Sequence, residues 1–369
     1  MRNRSILLVA ILVVAAAMVP GAVAAQPAAD ATQTTDQPDC TYPVTLTDVT
    51  GTEVTIEEPP ETVVAAQASD AQMLTELDVG ESLIGMPVGP YTDHLEVPDD
   101  VTDISEDDGI TPVAETIIDL DADVVIAANT VLFVDGFVEQ LREADQTVYV
   151  YDSAASLEEI ESNVQLAGTL ANECESAEAT VDEMNEQLDV IDDVVAESEE
   201  RPLAYYVMGE DELTTAGTGT FQHEMLERAG VENIAERDGI QGWGEISEEV
   251  VIEEDPEWLI YGDALDEPPA MTATEATTAW DQEQFVVVDS NAMAQPGPHV
   301  VDAIEEIAAT VHPEAYAEVT GEASAGDADD VASDDERSDE TAIDEIPGFG
   351  VSAAIAAIVA TLLLGRRAA

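Results

Sequence analysis

Short apolar or β-branched runs recur through the middle of the chain, separated by stretches whose apolar positions step by three and four. Thr62–Ala66, Leu83–Met86, Val124–Ala127 and Val148–Tyr151 predict strands in a first half. Leu203–Met208, Trp258–Tyr261 and Phe285–Val288 predict them in a second. Strands alternating with helical patterns favour parallel sheets built from βαβ units. Ahead of them, Tyr42–Asp48 and Glu53–Ile56, turning at Thr50 and Gly51, predict a β-hairpin. Between the halves, Ser156 with Glu159 three residues on starts a helix as a capping box. Ile160, Val164, Ala167 and Leu170 continue it at helical spacing. After a break near Asn172–Ser176, Ala177, Val181, Met184, Leu188, Ile191 and Val195 form one apolar stripe on a helix of about six turns.

The two halves resemble each other. Glu115–Ile126 (ETIIDLDADVVI) recurs as Glu249–Ile260 (EVVIEEDPEWLI), each copy reading as a helix end, a turn and a buried strand. Met73-Leu74 and Met225-Leu226 occupy matching helices earlier in each half. The expected fold is α/β: two similar lobes with mainly parallel sheets, 41–154 and 200–320, joined by a long helix within 155–199.

The termini read differently. Arg2 and Arg4, an apolar run from Ile6 to Met18 and small residues at Ala22–Ala25 predict a signal peptide over 1–25, followed by a flexible segment over 26–40. At the other end, an acidic low-complexity linker (321–346) is expected to be disordered and leads to Pro347-Gly348-Phe349. The apolar segment Val351–Leu364 and the pair Arg366-Arg367 follow. Sixteen helical residues from Phe349 to Leu364 would span roughly 24 Å, short of the roughly 30 Å hydrocarbon core, so 347–369 reads as a processed sorting signal, with a single-pass anchor as the alternative. The triplet resembles the Pro-Gly-Phe signals that haloarchaea cut and replace with a lipid. That resemblance implies a secreted, cell-surface protein anchored to the outer face of the cytoplasmic membrane.

Charge narrows the partners. The chain has 82 acidic residues, nine basic ones and no lysine. All the acids and five of the arginines lie in 26–346, a balance of −77. Nucleic acid is excluded as a partner, because neutralising phosphates needs a basic face. At molar salt the Debye length is about 3 Å and distant acids scarcely repel, so a salt-requiring folded protein is expected. Disorder does not fit 45% apolar residues in regular runs. Cys40 and Cys174 are the only cysteines. A disulfide between them and two separate thiols are both open.

Several motifs, in order, resemble the substrate-binding proteins of ABC importers for cobalamin, ferric siderophores and haem. Glu61–Ala65 and Leu77–Gly85 match the opening of the first lobe. Thr214–Gly217, Glu224–Gly230, Asn233, Trp243 with Ile246-Ser247-Glu249, and Asp255–Glu257 match the second. Gln295–Pro298 and His312–Glu314 match its close. The resemblance implies a ligand cleft between the lobes, and in open α/β sheets ligands bind beyond the carboxyl ends of the strands. The loops concerned are Val88–His94, Glu106–Thr111, Asn129–Gly136, Gly209–Gly219, Gly239–Gly244 and Ser290–Pro298. The resemblance implies ligand contacts at Tyr91 and Trp243; loop position adds Phe133 and Met208. Many relatives carry Arg after the Gly-Pro pair, where this chain has His299. A cation-poor cleft favours cobalamin or a neutral hydroxamate chelate over an anionic catecholate, with haem or a metal ion as the alternative. Delivery to a membrane permease with ATPase subunits, a monomeric state and no resident cofactor are expected. No HExxH, GxSxG or P-loop pattern occurs, so an enzyme is not. Of the four histidines, only His94 and His299 are expected near the cleft, too few for a zinc site.

Overall fold

A computed structural model describes residues 40–198, 200–209 and 213–321. The predicted signal peptide, the acidic linker beyond Gly321 and the apolar tail lie outside the described residues.

The chain enters through the expected hairpin, β1 (Val44–Thr47) and β2 (Glu53–Ile56), paired Val44 to Ile56. It is fastened to the first lobe by Arg142, whose guanidinium reaches the carboxylate of Asp48 and the hydroxyl of Thr50 (3.0 Å). The lobe comprises β3 (Val63–Ala65), α1 (Ala68–Glu76), β4 (Leu83–Met86), β5 (Thr102–Asp103), α2 (Ala114–Leu120), β6 (Val124–Ala128), α3 (Phe137–Glu143) and β7 (Val148–Tyr151). Its strands form one parallel sheet in the order β5-β4-β3-β6-β7.

Two helices follow, α4 (Leu157–Ala171) and α5 (Cys174–Glu197). The break between them is Asn172, left-handed at φ 62°, which turns the chain back on itself. The helices cross so closely that a Cβ at Gly168 would lie 2.4 Å from that of Ala177. Cys40 is bonded to Cys174 at the start of α5. Ser156 caps α4 by accepting from the N–H of Glu159. The apolar stripe of α5 buries Ala177, Val181, Met184, Leu188 and Ile191 as the spacing requires. Its last step falls on fully buried Val194, with Val195 half-buried beside it. Each large side chain of the stripe contributes about 1.5–3 kcal/mol on burial.

The second lobe holds β8 (Leu203–Val207), β9 (Thr214–Ala216), α6 (Phe221–Arg228), β10 (Glu232–Asn233), α7 (Ile234–Arg237), β11 (Trp243–Glu245), α8 (Glu248–Glu254) and β12 (Trp258–Gly262). It continues through α9 (Thr278–Asp281), β13 (Phe285–Val288), α10 (Ser290–Ala294), α11 (Val300–Val311) and α12 (Pro313–Thr320). A parallel sheet runs β10-β8-β12-β13, and β9 and β11 form a separate antiparallel pair. The repeated segment folds alike in both lobes. α2 ends at Asp121 and α8 at Asp255, both left-handed, and each leads to a strand inside its sheet, β6 and β12. The short strands β5, β9, β10 and β11 escaped prediction, because two or three residues establish no period.

α4 packs on α1 and β6 of the first lobe, and α5 on α6, α11 and α12 of the second. One apolar layer therefore runs unbroken from Val63 and Ile126 through Ile160 and Leu188 to Tyr206 and Ile304. A separate layer covers the outer face of each sheet. This continuity ties the lobes into a firm frame, leaving their facing strand ends to form the site.

Candidate functional site

A cleft of about 580 Å³ lies between the lobes, beyond the carboxyl ends of the strands. From the first lobe come Gln67–Ser69 after β3, Tyr91 after β4, Ile110, Thr130 after β6 and Ser153–Ala155 after β7. From the second come Gly219–Gln222 around the start of α6, Gly242 and Trp243, and Ala294–Pro296 after α10. Each of the six loops anticipated from the sequence supplies at least one residue. The segments after β3 and β7 and the first turn of α6 were not anticipated.

Local geometry explains how the two aromatic residues are presented. Gly89 lies against Gly109, where a Cβ would come within 2.5 Å of the Gly109 carbonyl, so the loops carrying Tyr91 and Ile110 are packed together. Thr92 locks the same turn by donating to Pro87 O at 2.9 Å. Trp243 opens β11, paired with Ala216 of β9, directly after Gly242 at φ 68°. Tyr91 is 44% and Trp243 47% exposed, so both rings present apolar surface to the cleft. Phe133 and Met208 are not brought to this lining. Phe133, 89% exposed, points to solvent at the end of its loop, and Met208 follows the last residue of β8.

Beneath the wall lies Asp70, which is fully buried and joins three elements. Its carboxylate accepts from Tyr151 Oη, from Ala128 N (3.2 Å) and from Gln67 N (2.9 Å), clamping the ends of β6 and β7 to the start of α1. Burial pushes its carboxyl up to about 7 against the downward pull of those hydrogen bonds. Sequence reasoning missed it because nothing singles out one acid among 82.

The lobes also touch through polar side chains. Gln295 Nε2 donates to Tyr91 O at 3.2 Å, and Asn291 Nδ2 lies 3.4 Å from His94 Nδ1. His299 does not face the cleft as expected; it sits at the junction of α1 and α11, 3.0 Å from Glu76. Burial pulls its pKa down, Glu76 pulls it up, and the net shift is upward. Placed just before α11, it is held in the helix junction rather than swung into the cleft. His94 belongs to the lobe contact and is likewise absent from the lining. Among the described residues, the cluster able to hold a metal is His223, Glu227 and Glu236, none of which lines the cleft.

Among the described residues, the lining contains no Asp, Glu, Lys, Arg or His. It offers aromatic faces, amides, hydroxyls and small residues, a surface suited to a bulky uncharged ligand.

A family model described as "Periplasmic binding protein" matches residues 63–293. A protein named "Cobalamin-binding protein" from Halobacterium salinarum is 30% identical over 340 residues, 89% of each chain. An "Uncharacterized ABC transporter substrate-binding lipoprotein YvrC" from Bacillus subtilis is 24% identical, covering 75% of this chain and 88% of that one. Among solved structures, the apo periplasmic heme-binding protein RhuT from Roseiflexus sp. RS-1 matches with a TM-score of 0.58 at 19% identity, over 69% of this chain and 99% of that one. CeuE from Helicobacter pylori matches with a TM-score of 0.60 at 18% identity, over 75% and 90%. At such identities the solved structures show a shared fold.

Proposed function

The chain belongs to the periplasmic binding protein family and is the substrate-binding protein of an ABC transporter; on that premise we propose that its ligand is a cobalamin. The observation that carries this reading is the uncharged lining, found in a chain with 82 acids. The rim of a corrin bears carboxamides, and its phosphodiester balances charge on the metal. Such a molecule needs apolar faces and hydrogen bonds rather than countercharges. The relative named as cobalamin-binding, at 30% identity, supports the same choice.

The alternatives fit the lining less well. The propionates of haem call for cations, and the lining has none. A bare metal ion needs converging imidazole or carboxylate ligands, which are also missing there. A neutral ferric hydroxamate meets the charge criterion and is the competitor that experiment must separate.

In this reading Tyr91 and Trp243 stack on or edge the macrocycle from opposite lobes. The protein captures its ligand outside the cell as a monomer, held to the membrane through its processed C-terminus. It then docks on a permease whose ATPase subunits drive release. Tryptophan fluorescence titrated in molar salt with cyanocobalamin, a ferric hydroxamate and haemin tests the assignment. Saturable quenching is expected with cyanocobalamin at micromolar concentration or below. Binding of the hydroxamate or haemin without cyanocobalamin would overturn it.

A further inference from the structure

Two glutamines of the cleft wall have side-chain oxygens with no partner. Gln222, in the first turn of α6, is 2% exposed, and its Nε2 donates to Met293 O at 2.9 Å. Gln295, just after α10, is 6% exposed; its Nε2 donates to Asn291 Oδ1 at 3.1 Å and, across the lobe junction, to Tyr91 O at 3.2 Å. Backbone carbonyls only accept, so each side-chain nitrogen is held on its carbonyl, and turning either amide round would set oxygen against oxygen. Gln222 Oε1 and Gln295 Oε1 are therefore fixed as acceptors, and both are closed off from solvent with no hydrogen bond. Buried acceptors without donors are uncommon in folded proteins and call for an explanation. The same wall contains the first turns of α1 and α6, whose leading N–H groups have no carbonyl partner within their own helices.

We propose that Gln222 and Gln295 recognise primary carboxamides on the ligand rim. The amide N–H groups donate to the two side-chain oxygens, and the amide carbonyl accepts from first-turn N–H groups of the wall. An ionised carboxylate in the same place has no proton to give these oxygens and meets no cation. Both oxygens are shut in while the cleft is empty; a small turn of each side chain about its Nε2 hydrogen bond brings the oxygen to the cleft surface as the ligand enters. This inference rests on the cobalamin reading and extends it from a neutral ligand to the functional group that is read.

The test uses the whole protein in molar salt, with cyanocobalamin and its monocarboxylic acids, in each of which one rim carboxamide has been hydrolysed. At least one monoacid is expected to bind about tenfold more weakly than cyanocobalamin, the loss of roughly one hydrogen bond. Gln222→Met and Gln295→Met remove the acceptor at similar bulk. Each should weaken cyanocobalamin about tenfold while leaving its discriminated monoacid within about twofold, since a site built for a hydrogen bond stops discriminating once its own partner is gone. Equal losses for both probes would mean that the glutamines only brace the wall, and the proposal would fail; so it would if neither probe lost affinity. Should a variant fold poorly, the parent alone decides, because equal binding of every monoacid sinks the idea. A parent that binds no corrinoid at all overturns the ligand assignment itself, an outcome distinct from binding that ignores the amides.

Discussion

The cleft between the lobes and the hollow at the far end of the first lobe have the same volume, about 580 Å³, and opposite chemistry. The far hollow is walled by Glu57, Glu58, Glu61 and Asp123. The depression beside His299 likewise gathers Glu76, Glu183 and Asp302. Among the described residues, the cleft lining has no charged side chain. Acids thus crowd surfaces that stay wet and are missing where a ligand must displace water. Stripping water from an ionised carboxylate costs several kcal/mol unless a partner compensates, and five arginines cannot supply partners for 82 acids. In so acidic a chain, the uncharged lining among the described residues marks the surface best suited to an uncharged ligand.

The broadest way to break this contrast is to remove the salt. In about 0.01 M electrolyte the Debye length grows to about 30 Å, so acids on both lobes repel one another across the whole molecule. The near-UV dichroism should disappear and cobalamin binding with it, both returning in molar salt. A native near-UV spectrum in dilute buffer would show that the acidic shell is not under strain.

Asp70 tests the contrast from inside, since it is buried directly after the lining residue Ser69. Its carboxyl, raised to about 7 by burial, is protonated over much of the working range. The folded pKa lies above the ordinary value of 3.8, so stability from this group is full below that value and is lost as pH rises through 7. Between pH 5 and 8 the loss should be about 3 kcal/mol, measured by chemical denaturation in molar salt. Asp70→Asn should flatten that slope. An unchanged slope would place the titration elsewhere; His299, also shifted upward, would be the next residue to substitute.

Legibility in the sequence followed the length of the pattern. The βαβ runs, the hairpin, the break near Asn172 and the repeat ending at Asp121 and Asp255 could all be read, because each rests on many residues in period or on a left-handed turn. The cleft loops followed from where those strands end. Tyr91 and Trp243 came from motif resemblance and do reach the lining, whereas Phe133 and Met208 were chosen by loop position alone and do not. Loop membership fixes a neighbourhood, but the direction of a side chain depends on contacts distant in sequence, such as Gly89 on Gly109. Gln222 and Gln295 were equally opaque, since an unpaired oxygen exists only once its surroundings have folded.

The contrast sharpens at the aromatic wall. Trp243→Ala should weaken cobalamin about 100-fold, the roughly 2–3 kcal/mol expected of a large contact residue, with Tyr91→Ala somewhat less. Phe133→Ala should shift the affinity by less than about twofold in a fluorescence titration. Wild-type affinity in Trp243→Ala would remove the aromatic contact from the site.

The smallest effect is expected at the far hollow. Glu58 lies at the amino end of the first-lobe sheet, and the cleft lies beyond its carboxyl end. Five residues of β6 span roughly 16 Å between those levels, several Debye lengths at molar salt. Glu58→Gln should therefore leave cobalamin affinity unchanged within about twofold at molar salt. The same substitution should modestly lower the salt needed for folding, because it removes one repelling charge. If cobalamin affinity moved with this distant charge at high salt, the ligand would be sensing the protein's overall field. The empty charge register of the cleft would then no longer account for what the protein selects.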